Sequence, residues 1–197
     1  MPVRDSDYFS LFREYIQQMI SSRLHSWPYL LEILQLRQYK KNQFIVKEGQ
    51  LFKYESFLAQ GIFRTFLKGE EGQEINTAFY DGPEIVAPYL TRNANDKHLT
   101  NFQTITPCTI LLFDAIKFSN LIRDYSDIRE FAFRVVENEL RFKATKEIFF
   151  TSKTASERLQ FLREVYPGLE NKIPLHHIAS FLGITIVSLS RLRSQSL

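Results

Sequence analysis

The side chains best suited to binding chemistry lie close together near the C-terminus. They are hydroxyl and guanidinium donors, namely Thr185, Ser188, Ser190, Arg191 and Arg193. Such donors bind phosphate oxygens, and arginine also pairs bidentately with guanine. The net charge is +3, and beyond position 150 the chain has six basic and three acidic residues. The charge excess therefore lies in this last quarter, where it favours contact with phosphate groups.

Metal and nucleophile chemistry have weak support in the sequence. The single cysteine, Cys108, excludes an intrachain disulfide, a zinc site made of several cysteines and an iron–sulfur cluster held by several cysteines. The histidines are His25, His98, His176 and His177, and only His98 falls in the strand-rich region where a cupin-like metal site would lie. Neither G-x-S-x-G nor G-x-x-x-x-G-K occurs. We expect no catalytic residue, no metal site and no enzymatic activity, and we expect the Cys108 thiol to be buried and inert.

The residues from Leu175 to Ser194 have the spacing of a helix-turn-helix. Ala179 is small where two helices must cross, and Gly183 tolerates the positive φ of the turn four residues later. Leu189 and Leu192 lie three apart and would anchor the second helix. An ordinary helical hairpin with a glycine turn is the alternative interpretation.

The second of these helices is predicted from about Thr185 to Arg193, with Thr185 as its N-cap. If the two leucines face inward, Ile186 and Val187 are exposed, which is unusual for a surface helix. They would contact thymine methyl groups or be covered by a partner.

Short segments rich in Phe, Ile, Val and Thr occupy the middle of the chain, between glycines. This pattern predicts an antiparallel sandwich or roll. The predicted strands are Gln43–Val46, Ser56–Ala59, Ile62–Leu67, Glu74–Phe79 and two strands within Asn101–Phe113, which are divided near Pro107. Before them, Ser6–Leu36 is predicted to be helical from apolar residues three and four apart.

The segment from Ala115 to Tyr166 contains no glycine or proline, so it predicts one or more long helices. An apolar stripe recurs every four residues at Ile128, Ala132, Val136, Leu140, Ala144 and Ile148. It could pack on the roll or form the seam of a dimer, and we favour the seam because a small roll cannot cover so long a stripe. The predicted domains are 1–114, 115–150 and 151–197.

With these parts in place, the chain resembles the cyclic-AMP receptor protein and FNR (CRP/FNR) superfamily of regulators. The residues that carry the resemblance are Lys47-Glu48-Gly49, Gln60-Gly61-Ile62-Phe63-Arg64, Glu71-Gly72, Phe79, Gly82-Pro83-Glu84, Glu157-Arg158, Tyr166-Pro167, Ile178 to Thr185 and Leu189-Ser190-Arg191. The last segments are similar to the short, wing-poor members common in Bacteroidetes.

The resemblance implies an α+β fold with three parts. These are an N-terminal antiparallel β-roll sensor (a double-stranded β-helix of the cyclic-nucleotide-binding type), a long dimerisation helix and a C-terminal, winged-helix-like helix-turn-helix. It implies a homodimer that binds specific DNA sequences, regulates transcription and contacts RNA polymerase. The alternative is a degenerate dimeric sensor or protein-interaction module without specific DNA binding, which the exposed Ile186 and Val187 would favour.

The sequence departs from the members that bind cyclic nucleotides. Those members have a Gly-Glu pair and, later, an Arg followed by Ser or Thr. Here Pro83 interrupts the pair, and His98-Leu99-Thr100 stands in place of the later motif, with Arg92 out of register. A neutral histidine lacks the bidentate anchor of an arginine. We therefore expect no cyclic nucleotide in the usual mode, and an unidentified small-molecule effector in a pocket at Glu84, His98 and Thr100.

The N-terminus reads MPVRDSDYFSL, which lacks the layout of a signal peptide. No stretch approaches the roughly 18 apolar residues that span a bilayer. We expect a cytoplasmic protein without a membrane partner.

Overall fold

A computed structural model describes residues 5–86 and 97–195, and within them eight strands form two four-stranded antiparallel sheets. The first sheet has the order β1-β8-β3-β6, from Leu34–Tyr39, Cys108–Asp114, Tyr54–Gln60 and Glu84–Val86. The second has the order β2-β7-β4-β5, from Phe44–Val46, Asn101–Thr104, Ile62–Lys68 and Glu74–Asp81. The predicted α+β class and antiparallel roll are confirmed.

Seven α-helices precede and follow the roll within the described residues. They are α1 Asp5–Met19, α2 Trp27–Glu32, α3 Ala115–Asp124, α4 Ser126–Ser152, α5 Ala155–Val165, α6 Leu175–Leu182 and α7 Ile186–Gln195, with a short 3-10 helix at Leu169–Asn171. None of them alone is long and apolar enough to cross a membrane; α6 and α7 pass that test only as a pair, and that pair is bent by 95°.

The prediction of a helix over Ser6–Leu36 is wrong at its C-terminal end. Residues Leu34–Tyr39 form β1, which pairs antiparallel with β8 from Leu34 opposite Phe113 to Tyr39 opposite Cys108. The segment LQLRQY alternates apolar and polar side chains, so Leu34 and Leu36 turn toward the packed face while Gln35 and Arg37 are exposed. This period of two is too short in sequence to stand out beside the apolar run of α2.

The outer face of the first sheet packs against helices. Phe12 of α1 is fully buried, and its ring stacks on Phe57 at 4.5 Å and on Phe113 at 5.8 Å. Phe131 of α4 closes the same cluster, with its ring 6.1 Å from that of Phe12. Each such ring buries a large apolar area, so this layer ties the N-terminal helix and the long helix to the sensor.

The helical region predicted between Ala115 and Tyr166 consists of three helices. Asp114 caps α3 by accepting a hydrogen bond from the Lys117 amide at 2.9 Å. Tyr125 is extended and separates α3 from α4. A capping box of Thr154 and Glu157 starts α5 directly after α4 ends.

The outer face of the second sheet packs against the C-terminal helices. Ile62, Phe79 and Ile105 of the roll belong to one buried cluster together with Leu162 and Phe181. The ring of Phe79 lies 5.3 Å from that of Phe181. The segment predicted as a separate DNA-binding domain, 151–197, therefore shares a hydrophobic core with the sensor.

We expect Gly61→Ala to destabilise the roll strongly. Gly61 connects β3 to β4 with φ +101°, and a Cβ there would lie 2.3 Å from the Pro107 carbonyl oxygen. Because that atom belongs to the backbone of the connection between β7 and β8, the clash and the positive φ together should cost about 2–4 kcal/mol of unfolding free energy. Urea denaturation measures this loss.

Gly72→Ala is the matched control for this substitution. Gly72 also has a positive φ of +80°, but nothing lies within 4 Å of its added Cβ. We expect a loss of about 1 kcal/mol, from the backbone conformation alone. Equal losses for the two variants would contradict the close contact at Pro107.

Candidate nucleic-acid interface and effector pocket

Helices α6 and α7 have the geometry of a helix-turn-helix. Their axes are bent by 95° across a short turn. Gly183 in that turn has φ +68°, in the left-handed region, and Ala179 is buried where the helices cross. Leu189 is fully buried and anchors α7. The predicted roles of these three residues are confirmed.

Thr185 is the N-cap of α7, as predicted. Its hydroxyl oxygen accepts a hydrogen bond from the Ser188 amide at 3.1 Å and lies 2.9 Å from the Ser188 hydroxyl. The two hydroxyls therefore fix each other at the start of the helix. The N-terminal end of a helix attracts anions, and the hydroxyl pair keeps one proton that can be donated.

The exposed face of α7 combines polar and apolar side chains. Ser190 and Arg191 are exposed, and Arg191 has no ion pair with any described residue. Beside them, Ile186 and Val187 are 53% and 61% exposed. This face is therefore open for contact with another molecule.

Arg193 differs from the other candidate DNA-binding residues. Its Nε lies 3.0 Å from a carboxylate oxygen of Glu170, which also pairs with Arg163 at 2.6 Å. The ion pair ties the C-terminal part of α7 to the 3-10 helix. The structure thus groups Thr185, Ser188, Ser190 and Arg191 and directs Arg193 inward to a partner of its own.

Two residues of the motifs that resemble the CRP/FNR superfamily lie on α5, and one of them contacts the end of α6. Arg158 of α5 donates from Nη1 to the carbonyl oxygen of Leu182 at 3.0 Å, at the C-terminal end of α6. Glu157 completes the capping box that starts α5. A carbonyl at a helix end lacks an intrahelical donor, so the guanidinium satisfies a group that would otherwise be buried alone.

The sensor sheet holds α6 through a network that the sequence did not predict. The backbone amide of Asn76 donates to the Ser180 hydroxyl at 3.0 Å, and that hydroxyl donates to the Glu74 carbonyl oxygen at 2.6 Å. The Asn76 side chain donates to the carbonyl oxygen of His177 at 2.9 Å. Its Oδ1 accepts a hydrogen bond from Arg64 at 2.9 Å.

Burial lowers the pKa of two basic groups at this contact. The pKa of His177 falls to about 3, mainly because the ring is desolvated, and also because Arg64 and His176 lie nearby. Burial also lowers the pKa of Lys146 to about 8. The Lys146 ammonium donates to the Thr77 carbonyl oxygen and lies 4.8 Å from the centre of the Phe181 ring. The contact between roll and helix-turn-helix is thus largely apolar, with every named polar group paired.

Glu84 lines a cavity of about 480 Å³ between β5, β6, α4 and the end of α5. Tyr15, Tyr80, Tyr166 and Glu139 share its wall. Burial and the nearby Glu139 raise the pKa of Glu84 to about 8. A carboxyl group with such a pKa is largely protonated at neutral pH and can donate a hydrogen bond.

His98 and Thr100 lie elsewhere, and neither lines this cavity. His98 is buried, with its ring 5.6 Å from Phe52 and 5.1 Å from Phe102. The structure therefore does not bring the three predicted pocket residues together. A second cavity, of about 570 Å³ and mostly apolar, lies between α3, α4 and the first sheet and contains none of the three.

Comparison with known proteins agrees with this architecture. Residues 36–125 match the family model of the cyclic nucleotide-binding domain. The transcriptional activator protein Anr of Pseudomonas protegens is 22% identical over 166 residues, which cover 79% of this chain and 67% of Anr. The chain is therefore similar to a cyclic nucleotide-binding domain in its β-roll and to a transcription regulator of the CRP/FNR superfamily over most of its length.

Solved structures of low sequence identity share the fold. FixK2 from Bradyrhizobium japonicum matches with a TM-score of 0.71 and 18% identity over 83% of this chain and 84% of that chain. A CooA variant from Carboxydothermus hydrogenoformans matches with a TM-score of 0.69 and 19% identity over 90% of this chain and 85% of that chain. The likeness to short Bacteroidetes members stays a prediction.

Aromatic side chains occupy part of the described interior of the roll. The ring of Phe63 stacks on Tyr80 at 4.7 Å and on Phe102 at 5.7 Å, so these rings occupy space between the sheets. The buried Arg64 is engaged by Asn76 and Gln103 rather than directed inward. Arg92 lies outside the described residues, as does most of the Ala87–Asn101 segment.

The described residues contain no group of three or more His, Cys, Asp or Glu side chains that could hold a metal ion. Cys108 is buried, and burial raises the pKa of its thiol to about 11. A thiol with so high a pKa is a poor nucleophile, as expected for an inert core residue.

We expect Glu84→Gln to change how stability depends on pH. The folded chain holds the Glu84 proton up to a pKa of about 8, whereas an exposed carboxyl loses it near pH 4.5. The stability that the protonated group contributes is therefore complete below about pH 4.5 and is lost as the pH rises toward 8. The unfolding free energy of the variant relative to the wild type should rise between pH 5 and pH 8.

Urea denaturation at several pH values tests this expectation. His177 and Lys146 titrate equally in both proteins, so their contributions cancel in the comparison. Glu71→Gln, on the exposed turn between β4 and β5, serves as the control and should run parallel to the wild type. A parallel curve for Glu84→Gln as well would contradict burial of the Glu84 carboxyl.

Proposed function

We propose that this CRP/FNR-type regulator binds operator DNA in the cytoplasm as a homodimer, through α7, and regulates transcription together with RNA polymerase. The observation that carries the proposal is the exposed face of α7, with Ser190 and Arg191 turned outward above the buried anchor Leu189. A recognition helix held in this way enters the major groove with its N-terminal residues toward the base edges.

The contacts to DNA follow from where each donor lies on α7. Thr185 and Ser188 are at the N-terminal end, where the helix dipole attracts a phosphate group. Arg191 lies one turn further, and its guanidinium is free to pair with guanine or to bind phosphate. Arg193, held by Glu170, contributes through the position it gives to α7.

The dimer would form along α4. Phe133, Leu140 and Ile148 are 65%, 55% and 59% exposed in the single chain, whereas Ile128 at the start of the predicted stripe is buried against the roll. The seam would therefore begin near Phe133, after the part of the stripe that the sensor covers. Apolar side chains at such spacing along a long helix are typical of a coiled-coil interface.

The effector would bind in the cavity that Glu84 lines. That cavity touches the roll, α4 and the end of α5, so a ligand there contacts each part that a signal must move. A protonated carboxyl and three tyrosine hydroxyls favour a neutral ligand that accepts and donates hydrogen bonds. The aromatic filling of the roll interior supports an effector other than a cyclic nucleotide.

A degenerate sensor without specific DNA binding is the second candidate, and the exposure of Ile186 and Val187 favours it. Such a protein would bind DNA weakly, with the same affinity for every sequence and a strong dependence on salt. Competition with random DNA at two salt concentrations distinguishes the two candidates.

We expect Arg191→Ala to weaken specific DNA binding without unfolding the chain. Arg191 is exposed and has no ion pair with the described residues, so its removal leaves no buried group unpaired. Loss of a bidentate base contact costs about 1–3 kcal/mol, or roughly 5- to 150-fold in affinity. Fluorescence anisotropy with a promoter duplex measures the change.

Arg123→Ala removes the same charge from the end of α3, where Arg123 pairs only with its exposed neighbour Asp124. This control should bind DNA like the wild type. Equal affinities for Arg191→Ala and Arg123→Ala would exclude Arg191 from the interface.

We expect Leu140→Asp to dissociate the dimer. A seam through α4 would bury one unpaired carboxylate from each copy, so the dissociation constant should rise on the order of 100-fold or more. Thr145→Asp introduces the same charge about 140° away around α4, on an exposed position, and should leave the dimer intact. Light scattering measures both masses, and a dimer that survives Leu140→Asp would exclude this seam.

A further inference from the structure

We propose that Ile186 and Val187 recognise thymine in the operator by contacting its 5-methyl group. This inference rests on the proposed DNA binding through α7 and specifies what the helix reads. The ligand is one or two thymine bases in each half-site, in the major groove.

The position of the two side chains on α7 supports this role. Ile186 and Val187 are its first two residues, and the first turn of a recognition helix lies nearest the base edges. Ser190 is four residues after Ile186, and Arg191 is four after Val187, so each apolar side chain has a polar neighbour on the same face. Apolar tips beside hydrogen-bond donors match the edge of a thymine, which has a methyl group next to the O4 acceptor.

The two side chains are also suited to the contact by shape. β-Branched residues keep one χ1 rotamer in a helix, so their methyl groups are fixed before binding. Ile186 and Val187 point about 100° apart around the helix, so they would contact neighbouring bases rather than the same one.

The charge around α7 increases the importance of such contacts. Among the six basic side chains beyond position 150, five are held by other groups of the chain. They are Lys153 with Glu157, Arg158 with the Leu182 carbonyl, Arg163 and Arg193 with Glu170, and Lys172 with Asp81. Arg191 alone has no such partner within the described residues. The carboxylates that pair with four of these side chains reduce the attraction for phosphate, so base contacts gain in importance.

A protein partner on the same patch is disfavoured by its size. Two side chains provide a small part of the roughly 800 Å² that each side of a stable protein interface buries. The long exposed row on α4 has the extent that a second copy needs, whereas this patch does not.

The test uses a base that differs from thymine only by the methyl group. Duplexes are first selected from a random-sequence library by the full-length protein, both purified and in a lysate of its own cells. We expect thymine to be enriched at one or two adjacent positions in each half-site. Those thymines are then replaced by deoxyuridine, and affinity should fall roughly fourfold for each methyl group removed.

Variants assign the effect to the two residues. In a double variant with Ile186→Ala and Val187→Ala, we expect weaker binding to the thymine duplex and equal affinity for the thymine and uracil duplexes. Ile116→Ala removes an isoleucine that is 67% exposed on α3, far from α7 in sequence, and should keep the full difference. Thermal unfolding of each variant checks that the fold is retained.

The outcomes distinguish a lack of methyl recognition from a lack of specific DNA binding. Tight, sequence-selective binding with equal affinity for thymine and uracil would overturn methyl recognition and leave the regulator intact. No selected sequence in either preparation would overturn both. A change in oligomeric mass of the double variant, with no difference between thymine and uracil for the wild type, would assign the patch to a second copy instead.

Discussion

The buried guanidinium of Arg64 organises the contact between the β-roll and the helix-turn-helix. Arg64 is 4% exposed, and its guanidinium donates to Asn76 at 2.9 Å and to Gln103 at 2.7 Å, with Glu74 as the ionic partner. Without these partners the burial of this charge would cost several kcal/mol. Because Asn76 also donates to the His177 carbonyl oxygen, the group that satisfies Arg64 also positions α6. The orientation of α7 therefore depends on a network inside the second sheet of the roll.

This arrangement determines where a signal can enter. Both outer faces of the roll are covered, the first sheet by α1, α3 and α4 and the second by the C-terminal helices. Aromatic rings, among them the stacked rings of Phe63 and Phe102, occupy the space between the sheets. The cavity with Glu84 lies instead where the roll, α4 and α5 meet. A ligand there would act only if it bound one arrangement of those parts better than another, and contacts with all three would provide that difference.

Local signals in the sequence predicted most of the fold and only part of the site. The roles of Gly183 and Leu189 follow from residues close to them in sequence, so the helix-turn-helix was predictable. The strand β1 was missed because its alternation is short, and the start of α5 was missed although Thr154 and Glu157 form a readable capping box. The bond between Asn76 and Ser180 joins residues 104 apart, and no pattern in a single sequence gives such a pairing. The separation of Glu84 from His98 depends on strand register for the same reason.

The exposed apolar side chains of α4 and those of α7 would act together in DNA binding. With most cations near α7 already paired, one half-site alone would be bound more weakly than two linked half-sites. A dimer links two such half-sites, so the second binding event becomes intramolecular and the overall affinity rises without any new contact. The gain is realised only if the two recognition helices are spaced to match one turn of DNA. The row along α4 from Phe133 to Ile148 would set that spacing, and the patch at Ile186 and Val187 would select the sequence to which it applies.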